Sequence, residues 1–417
     1  MERMHASNLS NRNFLKTLRL GVSAVNRSGL SWNLASMKSH IVIDARRMRD
    51  FGIGTYIRSL VHALGLIDHK NQYTLVSGPS DARTLTGLPE NFRTAIYRRP
   101  DTHPLDHVIF PVFLHSLAPD LVHIPLNRIP LLMVRPYVVT VHDMSSLLFE
   151  FHGSETRMRL RRELFRRGLM RASRVIAVSE ATRRDVQNLL GVPLEHVRRV
   201  YNAPDPEFLA HRDESDGQER LRILERYQIS YPFLLYAGNI RPHKNVPRLV
   251  EAFAVVRDQL SSHPIYKDLR LIIIGDTISQ YPQVRQAVIK SRTESVVRFL
   301  GFVPFDTLRC FYESAAAFVF VSRYEGFGLP PIEAMACGTP VVTSNVSSLP
   351  EVVGDAAVQV NPENVFEIAR GIREVLLDED LRATLIRCGR EQAARFSWER
   401  TAREVLAIYG EAGAHVG

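Results

Sequence analysis

Residues 324–342 read Tyr324-Glu325-Gly326-Phe327-Gly328-Leu329-Pro330-Pro331-Ile332-Glu333-Ala334-Met335-Ala336-Cys337-Gly338-Thr339-Pro340-Val341-Val342. The apolar run before this stretch, Ala317–Ser322, predicts a strand. Two glycines then turn the chain, and prolines at 330 and 331 suit the first turn of a helix, where a missing N–H is tolerated. A further strand, Thr339–Thr343, follows. Strand, turn, helix and strand at this spacing build a doubly wound parallel sheet. The start of the helix offers free N–H groups and a positive dipole end, a cradle for an anion, and Gly326 and Gly328 would let the backbone approach a ligand without a Cβ. Glu325 and Glu333 at the edges of this cradle oppose a bare phosphate. Ionised carboxylates only accept hydrogen bonds, so sugar hydroxyls are their natural partners. A plain turn flanked by solvated acids is the alternative, and the small apolar Ala334, Met335 and Ala336 beside Glu333 speak against it.

The same alternation extends outward. From His40 the strand-forming runs are Ile41–Ala45, Tyr73–Ser77, Leu121–Ile124, Tyr137–His142 and Arg174–Val178, with helices such as Thr55–Leu64 and Thr182–Leu190 between them. Ala203-Pro204-Asp205-Pro206 and the polar run His211–Glu219 interrupt the pattern as a linker. A second series follows with Phe233–Ala237, Arg270–Gly275, Val296–Leu300, Ala317–Ser322, Thr339–Thr343 and Ala357–Val360. At 417 residues and 47.4 kDa the chain exceeds a comfortable single core. The expected fold is α/β, with two facing Rossmann-like domains over residues 39–208 and 209–395. A ligand cleft is expected between them, at the carboxyl ends of their strands.

Apolar residues make up 45% of the chain and charged residues 23%, which excludes a disordered or fibrous protein. The net charge of +9 is uneven. Residues 1–210 hold 29 Lys/Arg and 18 Asp/Glu, a surplus of 11, whereas residues 211–417 hold 24 and 26. Part of that surplus is in residues 1–38, with six basic residues and the single acid Glu2; these are expected to be a disordered extension preceding the first strand. Cys310, Cys337 and Cys388 have no metal-like spacing, are odd in number and fit a reducing compartment, so neither a disulfide framework nor a zinc site is expected. No apolar run reaches the roughly 18 residues of a spanning helix.

Further motifs stand at predicted strand ends. Tyr236-Ala237-Gly238-Asn239-Ile240-Arg241-Pro242-His243-Lys244-Asn245 follows the first strand of the second domain, where a cation can neutralise a diphosphate leaving group. Val141-His142-Asp143-Met144-Ser145 directs His142 towards the cleft as a hydrogen-bonding partner for a ligand hydroxyl, or as an ordinary structural histidine, with Asp143 structural. Gly52-Ile53-Gly54-Thr55 invites a dinucleotide reading. However, Ile57 occupies the third glycine position and no acid ends the next strand, so NAD is not expected. Ser179 either lines the cleft or caps the following helix. Residues 157–174 carry eight arginines interleaved with Met158, Leu160, Leu164, Phe165, Leu169 and Met170. This basic amphipathic pattern suits an anionic membrane surface or a lipid-diphosphate acceptor, or is simply a solvated helix face. Nucleic acid is not expected, because the cluster lacks aromatic platforms.

Glu325 and Glu333 in E-x7-E spacing around Gly-Phe-Gly-Leu, the continuation Gly338-Thr339-Pro340-Val341-Val342, and the segments at 141–145 and 236–245 together resemble the retaining glycosyltransferases of the GT-B fold, glycosyl transferases group 1. The resemblance covers roughly residues 40–410. It implies transfer of a sugar from a nucleotide-sugar to an acceptor hydroxyl with retention of configuration, without a cofactor or an essential metal. By the same resemblance Glu325 contacts the transferred sugar, Glu333 the ribose, and Lys244 the diphosphate. Arg241 is a second candidate there, since Asn239 replaces the arginine many members carry after the glycine. The backbone of Gly326, Phe327, Gly328 and Leu329 would assist the leaving group, His142 would serve the reacting centre, and Gly54 would stand near the donor phosphates or be a bare tight turn. Phe299-Leu300-Gly301-Phe302-Val303 resembles the segment that reads the base, and residues 396–417 resemble the helix that crosses back to the first domain. The pairing of the 142–145 and 242–245 segments is most similar to mannosyltransferases of bacterial polysaccharide assembly. It implies GDP-mannose as donor, with a UDP-sugar such as a glucosyl donor as the rival, and a glycan or lipid-linked glycan as acceptor. The expected location is cytoplasmic, peripheral at the inner face of the membrane. A nucleotide-sugar 2-epimerase of the same fold is the alternative from another class.

Overall fold

The computed structural model describes residues 38–414 apart from 51, 80, 82–86, 150–153, 211–215 and 277. The extension expected over residues 1–38 therefore lies, but for Lys38, outside the described residues, as does part of the expected linker. Thirteen strands form two sheets. The first contains β1 His40–Asp44, β2 Gln72–Ser77, β3 Phe92–Ile96, β4 Leu121–Ile124, β5 Tyr137–Val141, β6 Arg174–Ala177 and β7 Val197–Arg199 in the order β3-β2-β1-β4-β5-β6-β7. The second contains β8 Phe233–Gly238, β9 Arg270–Gly275, β10 Val297–Gly301, β11 Ala317–Phe320, β12 Val341–Ser344 and β13 Val358–Val360 in the order β10-β9-β8-β11-β12-β13. Every pairing is parallel, with registers such as Val139↔Val175 and Val319↔Val342.

The central strands β4, β5, β11 and β12 are buried at every position, as expected for parallel strands covered on both faces by helices. Two strands escaped the sequence reading. The edge strand β3, Phe-Arg-Thr-Ala-Ile, is half-exposed and polar enough to read as loop, and β7 is only three residues long. In each sheet the order reverses beside the first strand, between β1 and β4 and between β8 and β11. At such a switch point the loops after the strands diverge and leave a crevice. The segments after β1, β5, β8 and β11 are the ones that carry the motifs quoted above.

The helix Trp398–Ala414 packs against the helix Ile53–Ile67 of the first sheet. Tyr409 reaches His123 on β4, with its hydroxyl 2.7 Å from Nδ1, and Trp398 meets Tyr56 edge-on at 5.9 Å. The Arg-rich helix spans Glu155–Arg171 and is capped by the Ser154 hydroxyl. Its apolar residues do not form one stripe. Leu169 is buried and Phe165 packs on the core, while Leu160 and Met170 face solvent, 58% and 43% exposed. Among the described residues no helix is long and apolar enough to cross a membrane.

Three arginines that follow β1 are paired with aspartates. Arg46 is buried between Asp44 at 2.8 Å and Asp106 at 3.0 Å, with its guanidinium 3.6 Å from the centre of the Phe110 ring. Arg47 pairs with Asp101 and Arg49 with Asp81. Removing one member of a buried charge cluster leaves the others uncompensated. Arg46→Met is therefore expected to lower unfolding stability by about 3–5 kcal/mol, measured by denaturant titration, whereas Arg49→Met at the exposed end of the loop should cost about 1 kcal/mol or less.

Candidate functional site

Lys244 and Glu325 meet at the heart of the crevice. After β8 the chain enters the short 3₁₀ turn Pro242–Lys244, closed by Asn245 in the left-handed conformation at φ +60°. The Asn245 amide donates to the carbonyls of Val321 at 3.0 Å and Pro362 at 2.8 Å, and the Arg323 N–H donates to the His243 carbonyl at 2.7 Å. These bonds tie the turn to the segment that follows β11. Lys244 Nζ consequently lies 2.6 and 2.7 Å from the two carboxylate oxygens of Glu325, and both side chains are largely sheltered from solvent. A two-point, sheltered pair of this kind puts a fixed cation where an anionic ligand can exchange for the carboxylate.

The glycines of the next segment serve a different purpose from the one expected. A Cβ on Gly326 would lie 1.7 Å from the His142 carbonyl of the first domain. Gly328 has φ +110° at the head of the helix Leu329–Ala336, and a Cβ there would meet Leu349 at 2.8 Å. Their missing side chains make room for protein, not for a ligand. The Phe327 ring is buried between Tyr201 and Phe396, with centroids 6.0 and 5.6 Å away. What remains available is backbone. The carbonyls of Glu325 and Phe327 are taken up by the hydroxyls of Ser347 and Ser348, at 2.6–2.9 Å. Among the described residues no acceptor takes up the N–H groups of Gly326, Phe327 or Gly328. Those amides stand beside the start of the helix at Leu329, whose first N–H groups also have no partner in the helix itself.

Glu333 sits one turn into that helix, and the Tyr312 hydroxyl donates to its Oε2 at 3.2 Å. Burial, reinforced by the nearby Asp205, pushes the Glu333 carboxyl up to about 7 despite this bond. Arg241 is exposed at the head of the Lys244 turn, and Phe302 is 72% exposed just after β10. Gly54 lies in the first turn of the helix Ile53–Ile67, which begins where the expected turn would be. A Cβ would lie 2.5 Å from the Met48 carbonyl, so its small size is spent on the chain's own backbone and no ligand contact is needed to explain it.

His142 is buried, and its ring meets that of Tyr56 edge-on at 4.8 Å. Burial pushes its pKa down to about 4, so the ring is neutral near pH 7. Nε2 lies 3.1 Å from the Pro125 carbonyl and must carry the proton, which leaves Nδ1 as an acceptor for a ligand hydroxyl. Beneath it runs a buried polar chain absent from the sequence reading: Tyr409 Oη to His123 Nδ1 at 2.7 Å, His123 Nε2 to Thr140 Oγ1 at 2.8 Å, and Thr140 to Tyr56 Oη at 3.1 Å. Only the alternation along β4 and β5 could have placed His123 and Thr140 inward; nothing in the sequence pairs them. Asp143 is structural, accepting from the Ser145 N–H and hydroxyl at 2.8 and 2.6 Å. Ser179 takes the second of its two expected roles: it accepts the Thr182 N–H as a helix cap, and it is fully buried, its hydroxyl donating to the Gly326 carbonyl of the second domain at 2.6 Å.

Residues 222–392 match the family described as Glycosyl transferases group 1, and residues 52–208 match Glycosyltransferase Family 4. The O-antigen chain mannosyltransferase B of Escherichia coli is 32% identical over 275 residues, covering 65% of this chain and 69% of that protein. The serotype-specific mannosyltransferase WbdA of E. coli is 31% identical over 241 residues, 58% of this chain but only 29% of that longer protein. Among solved structures, HepE of Anabaena in complex with UDP-glucose superimposes with a TM-score of 0.69 at 20% identity, over 89% of this chain and 99% of that one. The fold is thus GT-B, and the chain belongs to the glycosyl transferases group 1 family.

Proposed function

We propose that the protein transfers mannose from GDP-mannose to a hydroxyl of a glycan or lipid-linked glycan, with retention of configuration. The observation that carries this reading is the sheltered Lys244–Glu325 pair beside the acceptor-free amides of residues 326–328. In it, a donor diphosphate displaces Glu325 from Lys244 and takes the loop amides, and the freed carboxylate turns to the hydroxyls of the transferred sugar. Glu333 holds the ribose, Arg241 reinforces the charge at the diphosphate, and Phe302 and its neighbours border the base. His142 Nδ1 accepts from a donor-sugar hydroxyl. Charge builds on the diphosphate as the glycosidic bond breaks, where Lys244 and the amides stabilise it most. The donor phosphate takes the acceptor proton, so no protein base, cofactor or metal is required. The mannosyl donor is supported by the two E. coli relatives, both named mannosyltransferases. UDP-glucose is the second reading, supported by the HepE complex. The transferases among these relatives lend no support to epimerisation.

The exposed arginines of the helix Glu155–Arg171, beside exposed Leu160 and Met170, support peripheral contact with an anionic membrane on the cytoplasmic side. Arg157 and Arg161 carry that reading better than Arg162, which donates to the Leu189 carbonyl, or Arg166, which Glu163 engages at 2.8 Å.

Calorimetry with GDP-mannose and UDP-glucose, followed by mass detection of the transfer product, tests the donor. Binding of GDP-mannose is expected, and failure of both donors would overturn the assignment. Lys244→Ala should lower turnover on the order of 10²-fold, and near-normal turnover would remove Lys244 from the site. The raised pKa of Glu333 has two consequences of defined sign. The folded state favours the protonated carboxyl, so its contribution to stability is present below about pH 4.5 and is lost as pH rises through about 7. Ribose hydroxyls favour the carboxylate, so nucleotide affinity should weaken as pH falls below 7 and proton release should accompany binding; Glu333→Gln should flatten both profiles. Charge reversal at Arg157 and Arg161 should abolish co-sedimentation with anionic vesicles while leaving binding of neutral vesicles unchanged.

A further inference from the structure

The two domains touch through three sets of hydrogen bonds that bracket Glu325. Tyr324, immediately before it, is buried; its hydroxyl accepts from the Met144 N–H at 3.0 Å and donates to Asp185 at 2.8 Å. Gly326, immediately after it, presents its carbonyl to the hydroxyls of Ser179 at 2.6 Å and Thr182 at 3.0 Å. Glu351 lies after β12, beyond the Ser347 and Ser348 hydroxyls that hold the Glu325 carbonyl. Its carboxylate accepts from the N–H groups of Glu180 at 2.8 Å and Ala181 at 3.1 Å, and from the Tyr201 hydroxyl at 2.7 Å.

The second domain therefore completes a helix of the first. The helix Glu180–Leu190 begins with donors that have no partner in the helix itself. Ser179 satisfies Thr182, and Glu351 satisfies Glu180 and Ala181 while its negative charge meets the positive end of the helix. When the domains part, each of these groups can bond to water instead, so the contacts can be made and broken without stranding a buried polar atom. Glu325 is consequently tied to both domains: its neighbours in the chain are fastened to the first, and its carboxylate to Lys244 of the second.

We infer that Tyr324 and Glu351 are positioning residues forming an interdomain latch, which sets Glu325 in its working place only when the cleft is shut. The inference rests on the role proposed above for Glu325, and it adds how that residue is placed. The latch acts on the reacting geometry and leaves the nucleotide-binding groups of the second domain intact.

The test uses the full chain with Tyr324→Phe, Glu351→Ala and the conservative Glu351→Gln, each checked for an unchanged thermal midpoint. For Tyr324→Phe and Glu351→Ala, kcat should fall about tenfold to a hundredfold, the loss that a displacement near 1 Å brings. Nucleotide Kd should change by less than about threefold, and Glu351→Gln, which keeps one acceptor, should recover part of kcat. Amide hydrogen exchange supplies a readout independent of any donor. In Glu351→Ala the hydrogen-bonded amides of Met144 and Glu325, which Glu351 does not touch, should exchange at least about tenfold faster. Unchanged kcat, a loss of nucleotide affinity equal to the loss of kcat, or exchange altered only at residues 180 and 181 would each overturn the latch. If no donor is turned over by the parent protein, the proposed activity fails, and the exchange measurement still decides the latch.

Discussion

The close approach of Gly326 to the His142 carbonyl is the constraint on which the rest of the site depends. No other residue fits there, since any Cβ would occupy the space of the carbonyl oxygen. The contact brings the end of β5 against the segment after β11, so the segments that carry His142 and Glu325, from two separate sheets, lie side by side. Around it the Gly326 carbonyl finds two hydroxyls of the first domain, Tyr324 finds Met144 and Asp185, and Phe327 inserts between Tyr201 and Phe396. The helix Trp398–Ala414 adds a second tie, laying the C-terminal end of the chain along the first sheet.

Within this frame the polar groups divide into those satisfied by protein and those left for a ligand. The loop carbonyls after Tyr324 are occupied by serine and threonine hydroxyls, while the amides of residues 326–328 are not. His142 is held by Pro125 on one nitrogen and is neutral, with an acceptor on the other. Lys244 and Glu325 satisfy each other. The donor proposed above matches this pattern: the amides and Lys244 would supply donors for its diphosphate, and Glu325, Glu333 and His142 acceptors for its hydroxyls.

The charge asymmetry also resolves into parts. Arg46, Arg47 and Arg49 look like a basic loop in the sequence, yet each meets an aspartate, and Arg46 is buried in doing so. On the helix Glu155–Arg171 Glu163 serves two arginines and Glu155 a third, while Arg157 and Arg161 are exposed near Leu160. Among the described residues this helix carries the densest run of exposed arginines, and others such as Arg98, Arg99 and Arg135 are exposed elsewhere in the domain.

Sequence alone determined the two α/β series, the helix opening at residues 329–331, and the loops that carry Lys244, Glu325 and His142, because these follow from local periodicity, proline and glycine placement, and acid spacing. Edge strands such as β3 were not legible, since a half-exposed strand lacks a continuous apolar run. Only the tertiary structure decided what the glycines are for, that Phe327 is core, that His123, Thr140 and Tyr56 form a chain beneath His142, and that Glu351 completes a helix of the other domain. All of these depend on which groups meet across separations of up to 286 residues, as between His123 and Tyr409. A linear pattern can place a donor or an acceptor on a strand end, but the partner that satisfies it is chosen by packing.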